Sequence, residues 1–200
     1  MVIIGITGPT GAGKSLFSAY LSQQNIPVID ADEVYHSLLI PPSPCLDALR
    51  HAFGEEILHP DGSLNRPALS QIVFHDNDKL SLLNRTVLGF VLDEIREQIR
   101  VLERAGGHVV AVDAPTLIES GFHRECSTVI SVLCPPEQRL ERIIQRDGIT
   151  REAAEARIHA QKEDAFYRAH SSHLLINDGD QDAFHRACDD LMAQFPLAKS

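Results

Sequence analysis

The most chemically informative segment of the chain spans residues 8–15 and reads Gly-Pro-Thr-Gly-Ala-Gly-Lys-Ser. Glycines at this spacing let the backbone turn tightly and direct successive N–H groups toward a polyphosphate. Lys14 has the length to reach β- and γ-phosphates, and the Ser15 hydroxyl is a ligand for Mg²⁺. The segment follows an apolar run and precedes a helical pattern, which is the setting of a P-loop. The sequence therefore predicts an ATP and Mg²⁺ site formed by this loop and the first turn of the next helix, with the candidate residues Gly8, Gly11, Ala12, Gly13, Lys14, Ser15 and Leu16.

Two carboxylates follow the second apolar run, in the segment Ile29-Asp30-Ala31-Asp32. Ligands of open α/β sheets bind beyond the carboxyl ends of the strands. Phosphoryl transfer to a hydroxyl uses a carboxylate that orients the acceptor and takes its proton. Asp32 is our candidate for this catalytic base. The alternative role, for one of the two carboxylates, is to cap a helix that begins at Glu33.

A third carboxylate and a set of arginines complete the candidate chemistry. Asp113 ends another apolar run, as in a Walker-B strand, and is predicted to hold Mg²⁺ through water; initiation of a turn before Pro115 is the alternative. Arg139, Arg142 and Arg146 share one face of a helix that starts at Pro136. We predict that Arg142 neutralises charge on the transferred phosphoryl group. A solvated face of ion pairs is the alternative.

Composition limits the class of protein to which the chain can belong. Its 200 residues are 44% apolar and 23% charged, which indicates one α/β-sized domain with an insertion. No apolar stretch reaches the roughly 18 residues of a membrane helix, and no signal segment is evident, so we expect a cytoplasmic protein. The net charge of −10 argues against nonspecific nucleic-acid binding. The four dispersed cysteines argue against a zinc site or a disulfide framework.

Five short apolar runs bounded by turn residues predict strands of the buried, continuous kind found in parallel sheets. Helical patterns fill the gaps between them, which predicts an α/β fold of three layers, with a five-stranded parallel sheet between helices. The predicted strands are Val2–Thr7, Ile26–Ile29, His108–Val112, Thr128–Leu133 and Leu174–Ile176.

The gap between the second and third strands is too long for a simple crossover, which needs only one helix. It contains several helical patterns, the last with an apolar stripe from Leu80 to Leu102 that ends before Gly106. We therefore interpret residues 1–200 as a single P-loop kinase domain. Within it, residues 33–107 form a helical insert for the acceptor, the second substrate.

The order of these features resembles that of the dephospho-coenzyme A kinase family over nearly the whole chain. The similarity implies ATP-dependent phosphorylation of a ribose 3′-hydroxyl, the last step of coenzyme A biosynthesis. It further implies an Asp32-like base, a helical coenzyme A subdomain and an arginine-bearing lid region at residues 136–168. It also implies that Arg66 and Pro115 bind the acceptor and that Asn177 binds the nucleotide. The segments that carry the resemblance are Gly5–Gly8, Gly11–Ser15, Val28–Asp32, Phe53–Leu58, Asp61–Arg66, Val73–Phe74, Leu83–Asn84, Asp113–Pro115, Leu117–Glu119, Gln138, Leu140, Arg142, Arg146, Gln161 and Asn177–Gly179.

The chain departs from the family pattern at three places. Leu88-Gly89 stands where the family has His-Pro, Thr116 where it has Leu, and Ser171-Ser172 where it has Ala-Asp. The first two changes fall on the acceptor side, so a P-loop kinase of another small-molecule hydroxyl or nucleotide is the alternative function. A regulatory GTPase is disfavoured because the chain lacks an Asn-Lys-x-Asp guanine motif.

Overall fold

The structure is a computed structural model that describes residues 1–74 and 76–195. Five strands form one sheet in the order β2-β3-β1-β4-β5, and the prediction of a five-stranded parallel α/β fold is confirmed. β1 is central and runs parallel to both β3 and β4, and β4 runs parallel to β5. The strands are β1 (Val2–Thr7), β2 (Val28–Asp30), β3 (Val109–Asp113), β4 (Thr128–Leu133) and β5 (His173–Ile176).

Helices cover both faces of the sheet, which is why its strands read as unbroken apolar runs. All six residues of β4 are buried. Because successive strand side chains point to opposite faces, Ile130 and Val132 pack in the cluster that contains Phe17 and Phe184, whereas Leu133 packs against Tyr167. The helices of this part of the chain are α1 (Lys14–Gln23), α6 (Pro136–Asp147), α7 (Arg151–His159), α8 (Asp164–His170) and α9 (Gln181–Met192).

Residues from Asp30 to Leu102 form a second compact unit, separate from the unit of Met1–Ile29 and the residues from Glu103 onward. Its own core includes Leu49, Phe53 and Ile57. Its helices are α2 (Ala31–Ser37), α3 (Pro44–Phe53), α4 (Arg66–Phe74) and α5 (Asn77–Arg104), with a short 3₁₀ helix at Glu55–Ile57.

The predicted apolar stripe of α5 departs from the structure only at its first residue, Leu80, since Leu83 and Val87 already pack against the core of this unit. Val91, Ile95 and Ile99 are buried, but Leu80 is 41% exposed. Periodicity shows which side of a helix is apolar, but not how far along the helix a partner continues to cover that side. None of the described helices is long and apolar enough to cross a membrane.

Candidate active site

The P-loop connects β1 to α1 and presents backbone N–H groups that the helix itself does not use. α1 begins at Lys14, and its N-cap, Gly13, supplies no side-chain hydrogen bond. The first N–H groups of a helix lack intrahelical partners and carry its partial positive charge. The loop thus ends in a place suited to an anion such as a phosphate. The glycines at 8, 11 and 13 all have positive φ values, of 137°, 74° and 103°.

Lys14 and Ser15 lie at this helix end. The Lys14 ammonium donates to the Gly8 carbonyl oxygen at 2.9 Å, so the side chain curls back along the loop instead of entering the core. Ser15 is exposed, as is Leu16, whose exposed fraction is 39%. Of the loop residues predicted to bind a nucleotide, Gly11, Gly13, Lys14, Ser15 and Leu16 are at least partly accessible around the start of α1, whereas Gly8 and Ala12 are buried.

Asp113 is buried at the end of β3 and faces α1. Its Oδ2 accepts a hydrogen bond from the Ser18 hydroxyl at 2.7 Å. Ser15 and Ser18 are three residues apart and share one side of the helix, so the Ser15 hydroxyl and the Asp113 carboxylate lie on the same side of α1. In the turn that follows β3, the Leu117 N–H donates a hydrogen bond to the Ala114 carbonyl oxygen at 3.2 Å. This turn therefore begins at Ala114, one residue after Asp113.

The Ser15 hydroxyl and the Asp113 carboxylate near α1 are too few to bind a hard cation by themselves, but they could bind one together with phosphate oxygens of a nucleotide. Carboxylate and hydroxyl oxygens are the donors that Mg²⁺ takes, and Mg²⁺ commonly combines one or two protein groups with substrate phosphates. Among the described residues there is no group of three or more His, Cys, Asp or Glu side chains that could hold a metal ion. Ser15 and Asp113 would therefore share the ion with phosphate oxygens and water.

Pro115 and Asn177 lie in the same unit as the P-loop. The Pro115 carbonyl accepts a hydrogen bond from the Thr7 hydroxyl at 3.3 Å, which joins the segment after β3 to the end of β1. Asn177 follows β5, is buried, and donates from Nδ2 to the Ala12 carbonyl at 2.8 Å. A Cβ atom on Gly13 would lie only 2.2 Å from that Nδ2, so a side chain at position 13 would displace the amide.

Arg142 extends from α6 to the loop and to Asn177. Its Nη1 lies 3.5 Å from the Gly11 carbonyl oxygen, and its Nη2 lies 3.5 Å from both the carbonyl oxygen and the Oδ1 of Asn177. Cys134 and Gln138 also contact this guanidinium, through Sγ at 3.2 Å and Oε1 at 3.4 Å. Burial raises the pKa of the Cys134 thiol, and the nearby Arg142 partly opposes that rise. Arg142 is thus held beside the P-loop by long, weak contacts.

The predicted common face of three arginines is only partly correct. Arg139 is 3% exposed and contacts Thr10 of the P-loop, whereas Arg146 is exposed and pairs with its neighbour Asp147 at 2.7 Å. Two helical turns separate Arg146 from Arg139, about 10 Å along the axis, which carries Arg146 past the short loop. The solvated alternative therefore holds for Arg146, and it is wrong for Arg139 and Arg142.

Asp30 and Asp32 are distinguished by their hydrogen bonds. The Asp30 carboxylate accepts from the backbone N–H groups of Asp32 and Glu33, at 2.8 and 3.2 Å, and is the N-cap of α2. That helix begins at Ala31, two residues before the predicted start, because Asp30 ends the strand and caps the helix at once. The Asp32 side chain is exposed in the first turn, where a negative charge is favourable.

Arg66 occupies the first position of α4 and is exposed. Over the described ranges 1–74 and 76–195, no ion pair involves this guanidinium. Asp32 and Arg66 both belong to the unit of residues 30–102, whereas the other predicted site residues belong to the unit that contains the P-loop.

Comparison with known proteins gives a consistent result over nearly the full chain. The family model described as dephospho-CoA kinase matches residues 2–183. A dephospho-CoA kinase from Shouchella clausii is 35% identical over 191 residues, which cover 96% of this chain and 97% of that protein. The crystal structure of TT1252 from Thermus thermophilus is 30% identical with a TM-score of 0.81, and covers 97% of both chains. A dephospho-CoA kinase from Campylobacter jejuni, at 24% identity and a TM-score of 0.72, covers 96% of both chains and has the same fold.

Proposed function

Since the chain belongs to the dephospho-CoA kinase family, we infer that it transfers the γ-phosphoryl group of ATP to dephospho-CoA and so forms coenzyme A and ADP. The observation that carries this inference is the family match across residues 2–183, because it includes both the P-loop unit and the unit of residues 30–102. A nucleotide-binding loop alone would be compatible with many acceptors.

We propose that the P-loop binds the phosphates of ATP through its backbone N–H groups and through Lys14. Asn177 and Arg142 contact the loop through the Ala12 and Gly11 carbonyl oxygens. The weak contacts of Arg142 leave its guanidinium able to shift toward a phosphate, where it would stabilise the charge that develops in the transition state.

Mg²⁺ is part of this proposal. Ser15 and Asp113 supply oxygen donors on one side of α1, and we propose that they hold the ion together with ATP. Held there by Ser15 and Asp113, Mg²⁺ would neutralise charge on the phosphates of ATP.

For the acceptor side, we propose that Asp32 takes the proton of the attacking hydroxyl and orients that group. Asp30 already uses its carboxylate to cap α2, which favours Asp32 as the base. The exposed Arg66 would pair with an acceptor phosphate, and Pro115 would contact the acceptor. In this interpretation residues 33–107 bind the acceptor, and residues 136–168 cover the donor. The protein would act in the cytoplasm, a reducing compartment suited to its four free thiols.

An acceptor panel tests the function directly. ADP formation from MgATP is measured with dephospho-CoA, shikimate and a nucleoside monophosphate as acceptors, against the rate without acceptor. We expect dephospho-CoA alone to raise the rate of ADP release. Faster turnover with one of the other two would assign this chain a different acceptor and would connect Leu88-Gly89 and Thr116 with altered specificity.

A further inference from the structure

Thr10, in the middle of the P-loop, has both of its backbone polar groups held by side chains distant in the sequence. Its N–H donates to Gln161 Oε1 at 2.9 Å, and its carbonyl accepts from Arg139 Nε at 3.1 Å. We call this arrangement the Thr10 clamp; it consists of Thr10, Arg139 and Gln161. Thr10 lies between two residues of positive φ, Gly8 and Gly11, so the clamp restrains a segment that is intrinsically free to adopt other conformations.

The two clamping side chains also hold each other. Arg139 Nη2 contacts Gln161 Oε1 at 3.4 Å, and Arg139 Nη1 pairs with Asp164 at 3.7 Å. Burial lowers the pKa of Arg139, while Asp164 opposes that change. Since a buried guanidinium needs partners for all its donors, the position of Arg139 is set by several groups at once. These contacts fix the Arg139 guanidinium, which in turn restrains Gln161.

Close packing on the same side of the loop restricts it further. A Cβ atom on Gly11 would lie 2.9 Å from the Arg139 carbonyl oxygen, so the backbone of α6 directly contacts the loop beside the clamp. The loop is therefore supported along Thr10 and Gly11, just before the residues that lead into α1. Donors held in place before the ligand arrives bind it at a smaller entropic cost.

We propose that Gln161, braced by Arg139, is a positioning residue that fixes Thr10 and thereby preorganises the P-loop for the phosphates of the donor nucleotide. The proposal rests on the proposed function in that it takes the P-loop as the ATP site. It gives the segment between α7 and α8 a defined role, which is to set the affinity for the donor and not for the acceptor.

The test compares Gln161→Met, which keeps the length of the side chain and removes the acceptor, with Gln161→Glu, which retains an acceptor for Thr10. Gln145→Met on the exposed side of α6 is the matched control. Hydrogen exchange of the loop peptide and calorimetric binding of the Mg²⁺ complex of a non-hydrolysable ATP analogue are measured, together with the KM values for ATP and dephospho-CoA. Gln161 is only partly buried and follows the end of α7, so we expect both variants to fold.

We expect Gln161→Met to weaken binding of the analogue and to raise the KM for ATP by about 3- to 10-fold, the usual effect of losing one hydrogen bond. The KM for dephospho-CoA should stay within about twofold, the Thr10 N–H should exchange faster, and Gln161→Glu should retain its protection. Gln145→Met should resemble the parent chain in all of these measurements.

Two results would overturn the proposal. One is equal loss of Thr10 protection in the Glu and Met variants, which would show that the acceptor oxygen does not matter. The other is an unchanged affinity for the analogue, or equal rises in both KM values, in Gln161→Met. Failure of the parent chain to phosphorylate dephospho-CoA would instead refute the proposed function, because analogue binding and exchange test the clamp without an acceptor.

Discussion

Arg139 and Arg142 lie three residues apart on α6 and both contact the P-loop, yet their replacement by alanine should affect different properties of the protein. Arg139 is 3% exposed, with a 3.1 Å hydrogen bond to Thr10 and an ion pair to Asp164. Arg142 makes contacts of 3.4 to 3.5 Å with oxygen atoms. We therefore expect Arg139→Ala to lower stability and Arg142→Ala to lower turnover.

The loss of stability expected for Arg139→Ala follows from the groups that lose their partner when the guanidinium is removed. An unsatisfied Thr10 carbonyl costs about 1–3 kcal/mol, and the loss of a partner from a buried ion pair costs about 3–5 kcal/mol. The Asp164 side chain is 38% exposed, so water hydrates it and reduces the second contribution. A total of about 2–4 kcal/mol corresponds to a fall in Tm of about 5–15 °C for a domain of this size.

The oxygen contacts of Arg142 lie near the upper distance limit of a hydrogen bond, so they contribute little to stability. We expect Arg142→Ala to lower the free energy of unfolding by less than about 1 kcal/mol and Tm by less than about 4 °C. In the transition state its contact would become a charge-assisted hydrogen bond, which contributes about 1.5–3 kcal/mol. The kcat should therefore fall by about 10- to 100-fold, with a smaller rise in the KM for ATP.

Thermal unfolding without nucleotide and steady-state kinetics of both variants measure these quantities, with Arg146→Ala as the control for an exposed arginine of the same helix. The reasoning is refuted if Arg142→Ala lowers Tm as much as Arg139→Ala does. It is also refuted if the loss of kcat in Arg142→Ala is no larger than in Arg146→Ala.

Four further predictions concern the loop, the carboxylates, the metal and the thiols. Lys14→Ala should lower kcat/KM by about 10²- to 10³-fold with little change in Tm, and near-normal activity would exclude its phosphate role. Asp32→Asn should lower kcat by about 10²- to 10⁴-fold with an unchanged KM for ATP. Asp30→Asn keeps an oxygen that can cap α2, so its kcat should fall much less. A larger loss of kcat in Asp30→Asn than in Asp32→Asn would identify Asp30 as the base. Chelation of Mg²⁺ should stop ADP release, and Asp113→Asn should raise the Mg²⁺ concentration needed for half-maximal rate; an unchanged requirement would remove Asp113 from the metal site. Burial raises the pKa values of the thiols of Cys45, Cys126, Cys134 and Cys188. At pH 8 these thiols should therefore stay protonated and react with a disulfide reagent only after the protein unfolds. Rapid reaction of the folded protein would contradict this prediction.

The sheet was predictable because its chemistry is local and repeated. A strand covered on both faces must be apolar at successive positions, and the predicted limits of β1 and β4 agree with the structure. The limits of β2 were shifted, since the strand runs to Asp30, a polar residue that also caps the next helix. A run of apolar residues predicts where a strand is buried, but it does not show whether the strand continues into a polar residue at its end.

The contacts around the P-loop were not predictable from spacing alone. Arg139 and Arg142 occupy the same pattern on α6, and only the fold shows that one is buried against Thr10 and the other reaches Asn177. Gln161 contacts the loop across 151 residues of sequence; the family resemblance includes this residue, but nothing in its local sequence indicates which group it contacts. The role of Asp30 as the cap was one of two open alternatives, because both carboxylates precede the same helix.

The most direct test of the central claim is the identity of the product that the purified chain forms from MgATP and dephospho-CoA. Released ADP is quantified by a coupled assay, and the acceptor is analysed by mass spectrometry and phosphorus NMR. We predict one ADP for each dephospho-CoA consumed, with one new phosphate monoester, on the ribose 3′-oxygen. ADP release no faster than without acceptor, or a phosphate at another position, would contradict the proposed function.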